Sequence, residues 1–112
     1  MSYSRMKELE KFAGYAKTLK MEDDVEFKNF IAQSLGILEL SDREFADSLS
    51  VSRPTVNRWS NGRNLPHIAL RRPIISSVLA RVERKIRAIN KAASLNASDY
   101  SYASYPIAAK GR

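Results

Sequence analysis

The chain of 112 residues has the length of one domain, and its 44% apolar residues suffice for one hydrophobic core. The absence of cysteine excludes disulfides and cysteine-based zinc sites, and a single histidine excludes a histidine-rich metal centre. The net charge of +7 favours polyanionic partners. No membrane-spanning run, signal-peptide core, cofactor motif or catalytic arrangement is recognisable, so we expect a cytoplasmic protein that is not an enzyme and needs no cofactor.

Two helices are predicted in the N-terminal third. Apolar and small residues at three- to four-residue spacing predict a first helix over about residues 4–20. Acidic residues at 22–24 mark the start of a second helix, because negative charge is favoured at the N-terminal end of the helix dipole. The second helix is expected to end near Gly36. The periodic positions are Met6, Leu9, Ala13 and Ala16 in the first helix, and Phe27, Phe30, Ile31, Ser34 and Leu35, on one face, in the second.

Two short helices follow, each with its own start signal. Ser41 and Glu44 have the spacing of a capping box, in which each residue caps the backbone of the other. Ser52 is a second cap, and Pro54 stands in the first turn, where a missing N–H costs no hydrogen bond. Gly62 is expected to end the second short helix with a left-handed turn.

The second short helix, over about residues 53–60, is predicted to have one buried and one exposed side. Helical positions advance by about 100° per residue, which places Val56 and Trp59 together towards the core. Arginine can bind guanine O6 and N7, asparagine can bind adenine N6 and N7, and small apolar groups can contact thymine methyls. A helix with such an outward face suits the major groove of DNA. The residues of that face and of the exposed first turn are Arg53, Pro54, Thr55, Asn57, Arg58 and Asn61.

A long basic helix is predicted from Pro73 to about Ala93. Leu65-Pro66 opens an element before it, which Pro73 either breaks or follows with a new helix. The apolar stripe of the long helix either covers the core or pairs with a second chain, and we expect some of each, hence a homodimer. Residues 94–112 lack a period and are predicted to be a flexible tail. The stripe consists of Ile75, Leu79, Val82, Ile86 and Ile89.

The segment Leu40–Pro66, LSDREFADSLSVSRPTVNRWSNGRNLP, resembles the helix-turn-helix of the phage repressor and Cro-like (XRE) family. The matching positions are Ala46 in the first helix, Val51 in the turn and Val56 in the second helix, with Ser52-Arg53, Trp59, Gly62 and Leu65-Pro66. Two positions depart from the family pattern. Ser50 stands where the turn usually has glycine, and Asp42 stands where the family often has a phosphate-contacting glutamine.

The resemblance implies an all-α, lambda-repressor-like domain over residues 23–93, with its helix-turn-helix at 41–62, an extra helix at 1–22 and the tail at 94–112. It implies a dimeric transcription regulator of phage or mobile-element type that occupies an operator on double-stranded DNA in the nucleoid. The expected base-reading residues are Arg53, Pro54, Thr55, Asn57 and Arg58. The expected phosphate contacts are Ser41, Asn61, Arg63, Asn64 and Arg72.

Two other functions fit the same sequence. An antitoxin-type regulator would bind a protein partner through the tail at 94–112. A nucleoid or DNA-packaging protein would bind without sequence preference through the basic stretch at 73–93. Arg71 is expected equally in a phosphate contact or in solvent, His67 is expected in a solvated loop, and Trp59 is expected in the core.

Overall fold

In the computed structural model, which describes the backbone of residues 2–104 and the side chains of residues 4–94, the described chain is all-helical. This confirms the predicted all-α class. None of the described helices is both long and apolar enough to cross a membrane. The helices in chain order are α1 (Ser2–Lys17), α2 (Asp24–Leu38), α3 (Asp42–Leu49), α4 (Arg53–Ser60) and α5 (Ile68–Ser104).

Local capping explains where the three middle helices begin. The side chain of Asp23 accepts the Glu26 N–H at the start of α2, at 3.0 Å. Ser41 forms the predicted capping box at the start of α3, and the hydroxyl of Ser52 accepts the Thr55 N–H at the start of α4. Each cap satisfies backbone donors that have no partner inside the helix. The predicted starts of α2, α3 and α4 are therefore confirmed.

One hydrophobic core joins all five helices. The N-terminal helix α1 packs along α5 and contacts α2, so that it belongs to the same core as the rest of the chain. Aromatic rings pack in this core: Phe12 stacks on Phe30 with ring centroids 5.4 Å apart, and Phe27 and Trp59 meet edge to face with centroids 6.2 Å apart. The largest fully buried side chains are Phe27, Phe30, Phe45, Leu9, Ile31, Leu38, Val56, Val78 and Val82.

The start of α5 differs from the prediction. The helix begins at Ile68, and Pro73 lies inside it, so that no separate element precedes the proline. Proline lacks an N–H and leaves the carbonyl of Ala69 without its helical partner, which is tolerated here because both residues are exposed to solvent. His67 caps the helix, since its Nδ1 accepts the Ala69 N–H at 3.0 Å.

The end of α5 also differs from the prediction. Residues 94–104 were predicted to belong to a flexible tail, but their backbone continues the helix to Ser104. Alanines at 92, 93 and 97 favour helix, and the next helix-breaking residue along the chain is Pro106. The remainder of the predicted tail, residues 105–112, lies outside the described residues.

The apolar stripe of α5 is used within its own chain. Ile75 and Val82 are buried, and Leu79, Ile86 and Ile89 are partly buried against the same core. The reason is that α1 lies along α5 and supplies the partner surface that a second chain was expected to supply. The homodimer stays a prediction, and this stripe offers little surface to it.

Candidate nucleic-acid interface

The short helices α3 and α4 pack on each other and are joined by residues 50–52. Ala46 is buried where they meet, which agrees with the small residue expected at a close helix crossing. Ser50 ends α3 in the left-handed conformation, with φ 58° and ψ 41°. The next residue, Val51, donates its N–H to the Ala46 carbonyl at 3.0 Å. The turn thus has the backbone that glycine prefers, held here by a serine.

Ser50→Gly is expected to raise the free energy of unfolding by about 0.5 kcal/mol. The left-handed conformation costs a non-glycine residue about 1–2 kcal/mol, and the greater chain entropy of glycine in the unfolded state offsets part of that gain. Urea unfolding of the two proteins measures the difference. Ser76→Gly, at an exposed helical position in α5, is the control and should lower stability. A loss of stability in Ser50→Gly equal to that of the control would contradict the argument.

The helix α4 has the predicted two sides. Val56 is 0% and Trp59 6% exposed, whereas Arg53, Pro54 and Asn57 are exposed. The predicted burial of Val56 and Trp59 is confirmed. Trp59 packs on Phe27 in the core and does not offer a stacking surface for bases. Three of the five predicted base-reading residues therefore lie fully on the solvent side of α4.

The other two predicted base-reading residues, Thr55 and Arg58, are half-buried and bonded to each other. The Thr55 hydroxyl lies 2.8 Å from the Ser52 hydroxyl. Nη2 of Arg58 donates a hydrogen bond to the Thr55 hydroxyl at 3.3 Å. Nε of Arg58 is buried and makes no hydrogen bond to any described residue. The Arg58 guanidinium is thus held weakly along α4, through one long hydrogen bond, and can leave it for a better acceptor.

Asn61 closes α4 with its side chain. Its Nδ2 donates to the Asn57 carbonyl at 2.8 Å and lies 3.5 Å from Asn57 Oδ1. The amide hydrogens that a phosphate contact needs are therefore directed to the helix end. Gly62 follows with φ 76°, as the predicted left-handed turn requires. Arg63 and Asn64, both predicted phosphate contacts, are exposed immediately after this turn.

Ser41 lies in an acidic setting at the start of α3. Its N–H donates to Glu44 Oε1 at 2.9 Å, and its hydroxyl accepts the Glu44 N–H at 3.1 Å. The hydrogen bond from the Ser41 backbone, followed by that of its side chain, holds the pKa of the Glu44 carboxyl below its usual 4.5. Asp42 adds a second carboxylate in the same turn. Negative charge here opposes the phosphate contact predicted for Ser41.

The neighbouring arginines 71 and 72 have different environments. Arg72 is exposed, as a phosphate contact requires. Arg71 is 5% exposed and donates to the carbonyl oxygens of Met21 and Pro66 at 2.9 and 3.0 Å. Its third contact is Asp24, whose Oδ1 lies 2.9 Å from Nη2, and its guanidinium lies over the Phe27 ring. Arg71 therefore ties the loop before α2 to the loop before α5.

The sequence contains a signal for Arg71 that the prediction did not use. Arg71 precedes Ile75 by four residues and Val78 by seven, so that a helix continuing back through Pro73 places it on the buried side. Because a helix break was expected at Pro73, the helical spacing from Arg71 to Ile75 and Val78 was not used.

Comparison of the chain with protein-family models, with curated proteins and with solved structures returns no match. Among the described residues, no three histidine, aspartate or glutamate side chains come together in a group that could hold a metal ion.

Proposed function

We propose that this protein is a sequence-specific DNA-binding regulator of the phage-repressor type, in which α3 and α4 act as a helix-turn-helix. The observation that supports it is the two-sidedness of α4. One side anchors the helix through Val56 and Trp59, and the other presents Arg53, Pro54 and Asn57 to solvent. A helix anchored in this way keeps a fixed orientation while its outward side enters a groove.

The dimensions and chemistry of α4 suit the major groove. Eight residues give a helix of about 12 Å, and the major groove of B-DNA admits an α-helix. Arg53 and Asn57 present exposed side chains to guanine and adenine edges. Asn57 gives up the 3.5 Å contact of its Oδ1 with Asn61, and Arg58 exchanges its long bond to Thr55 for guanine O6 and N7. Pro54 and the Thr55 methyl contact thymine methyls.

The phosphate contacts of the proposal come from the residues after α4. Arg63, Asn64 and Arg72 are exposed, and positive charge next to a recognition helix adds salt-dependent affinity. Asn61 and Ser41 are assigned to capping α4 and α3 in the proposal, because Nδ2 of Asn61 donates to the Asn57 carbonyl, and Ser41 caps α3 beside the carboxylate of Glu44, whose negative charge opposes a phosphate.

Selection of bound sites from random double-stranded DNA tests the proposal, and a consensus is expected. Arg58→Ala should weaken binding to that consensus by about 1–3 kcal/mol and relax the base preference at one position. Glu10→Ala, on α1, is an exposed control that should leave binding unchanged. If Arg58→Ala and the unchanged protein bind the selected site with equal affinity, Arg58 is not a base-reading residue.

Arg63→Ala is expected to weaken the binding of all DNA sequences by similar factors. A phosphate contact carries no sequence information, and losing one should lower the slope of log affinity against log salt by about 1. Fluorescence titration of one consensus and one scrambled duplex at several salt concentrations measures both effects. Loss of affinity for the consensus alone would instead make Arg63 a base-reading residue.

A DNA-packaging protein without sequence preference is the second candidate, because the described part of α5 exposes Arg84, Lys85, Arg87 and Lys91. The selection experiment separates the two candidates. A regulator gives a consensus, two-fold symmetric if the protein is a homodimer, whereas a packaging protein gives a ratio of specific to non-specific affinity near one.

A further inference from the structure

A continuous groove runs along one side of α5. A concavity of about 360 Å³ lies between the α3–α4 turn and the start of α5. It shares Leu49 and Ser77 with a second concavity of about 350 Å³, and the second shares Arg81 and Arg84 with a third of about 280 Å³. We name the three together the α3–α5 groove.

The half of the groove near the start of α5 is apolar. Val51, Pro66, Leu70 and Ile74 line it. Leu70 is 56% exposed. A large apolar side chain left in contact with water inside a concavity is typical of a surface that binds another apolar group.

The other half of the groove is basic. Arg81, Arg84 and Lys85 line this half. No acidic side chain lines any of the three concavities of the whole groove. Nε of Arg81 is buried and makes no hydrogen bond to a described residue, so this donor is available to an acceptor from a bound partner. The carboxylate of Glu44, on α3, accepts the N–H of Ser41 and also interacts with the positive charge of Arg81, so Glu44 offsets part of the charge of Arg81, while Arg84 and Lys85 make no ion pair with a described residue.

We propose that the α3–α5 groove binds a peptide segment of a partner protein that presents apolar side chains followed by acidic ones. The basic half is complementary to negative charge, and the apolar half offers no partner for the charged backbone of a nucleic acid. From Leu70 to Lys85 the groove extends roughly 22 Å along α5, which accommodates about seven residues of extended peptide.

Charge argues against residues 105–112 of this chain as the occupant, and the groove is separate from the outward side of α4. The C-terminal residues 105–112 of this chain carry two basic residues and no acidic one, which is the wrong charge for the basic half. Arg53 and Asn57, on the outward side of α4, do not line the groove. Peptide binding is therefore independent of the proposed base reading by α4, and each can fail without the other.

Display of random twelve-residue peptides against the immobilised full chain tests the proposal. The expected consensus has apolar residues followed within a few positions by at least two acidic ones. Fluorescence anisotropy with the labelled consensus peptide should show binding weakened about tenfold by Arg84→Glu, and about fivefold by Leu70→Ser. Both positions are exposed, and thermal unfolding by circular dichroism verifies that the variants fold.

Arg87→Glu is the matched control. It makes the same charge change on the same helix, but Arg87 lines a different concavity, between α5 and α1. Peptide binding by Arg87→Glu should stay within about twofold of that of the unchanged protein.

Three results would overturn the proposal. The first is a consensus without acidic residues, and the second is an equal loss of peptide binding in Arg84→Glu and Arg87→Glu. The third is a chain that forms a dimer, loses it in Arg84→Glu and binds no selected peptide. Displacement of the peptide by random-sequence duplex DNA, with loss of DNA binding in Arg84→Glu, would make the groove a nucleic-acid surface and would also overturn it.

Discussion

Arg71→Ala is expected to lower the free energy of unfolding by about 3 kcal/mol, a large part of the stability of a small domain. The substitution removes the donor that serves the carbonyl oxygens of Met21 and Pro66, and it removes the partner of Asp24. Hydrogen bonds from a charged group contribute about 1.5–3 kcal/mol each, and the part-buried carbonyl oxygens left without a donor add some desolvation cost. Urea unfolding followed by circular dichroism measures the loss.

The adjacent Arg72 provides the control for Arg71. It has the same charge on the same helix but lies exposed, so Arg72→Ala should change stability by less than about 0.5 kcal/mol. Arg71→Lys keeps the charge but not the planar fork that reaches several acceptors, and it should recover only part of the loss. Asp24→Ala should cost less than about 1 kcal/mol, because its side chain is 70% exposed. Similar losses in Arg71→Ala and Arg72→Ala would refute the structural role of Arg71.

The helix starts could be predicted from the sequence because capping is local. Ser41 and Glu44 satisfy each other within one turn, and Ser52 needs only the N–H of Thr55. Gly62 likewise adopts the left-handed conformation of its turn because glycine has no side chain to oppose it. None of these features depends on residues far along the chain.

The bounds of α5 could not be predicted because they depend on tertiary contacts. Proline inside a helix costs about 3 kcal/mol, which alone favours a break at Pro73. The continuous helix is stabilised by contacts on both sides of the proline, with Arg71 bound to Met21, 50 residues earlier, and Ile75 buried in the core. The partner of the apolar stripe was also not apparent, because periodicity shows which side is buried without showing which helix covers it.

The candidate site was predictable in its orientation but not in its bonds. Periodicity alone separates Val56 and Trp59 from Arg53 and Asn57 within one short helix. Which polar groups are already engaged depends on rotamers and on competition within the protein. Asn61 caps the end of α4, for example, and the N–H of Ser41 is bound by Glu44. A residue type suited to a phosphate is also suited to a helix end.

Trp59→Ala is expected to lower the free energy of unfolding by about 3–5 kcal/mol, because it leaves a cavity beside Phe27 where a nearly buried indole packed. Trp59→Phe, which keeps an aromatic ring, should cost less, and Asn57→Ala, on the exposed side of the same helix, should cost less than about 0.5 kcal/mol. DNA titration separates anchoring from contact. Asn57→Ala should weaken consensus binding while the protein stays folded, whereas Trp59→Phe should retain the base preference of the unchanged protein. A nearly neutral stability change in Trp59→Ala would mean that the indole does not anchor α4, and the orientation on which the proposed base reading rests would be lost with it.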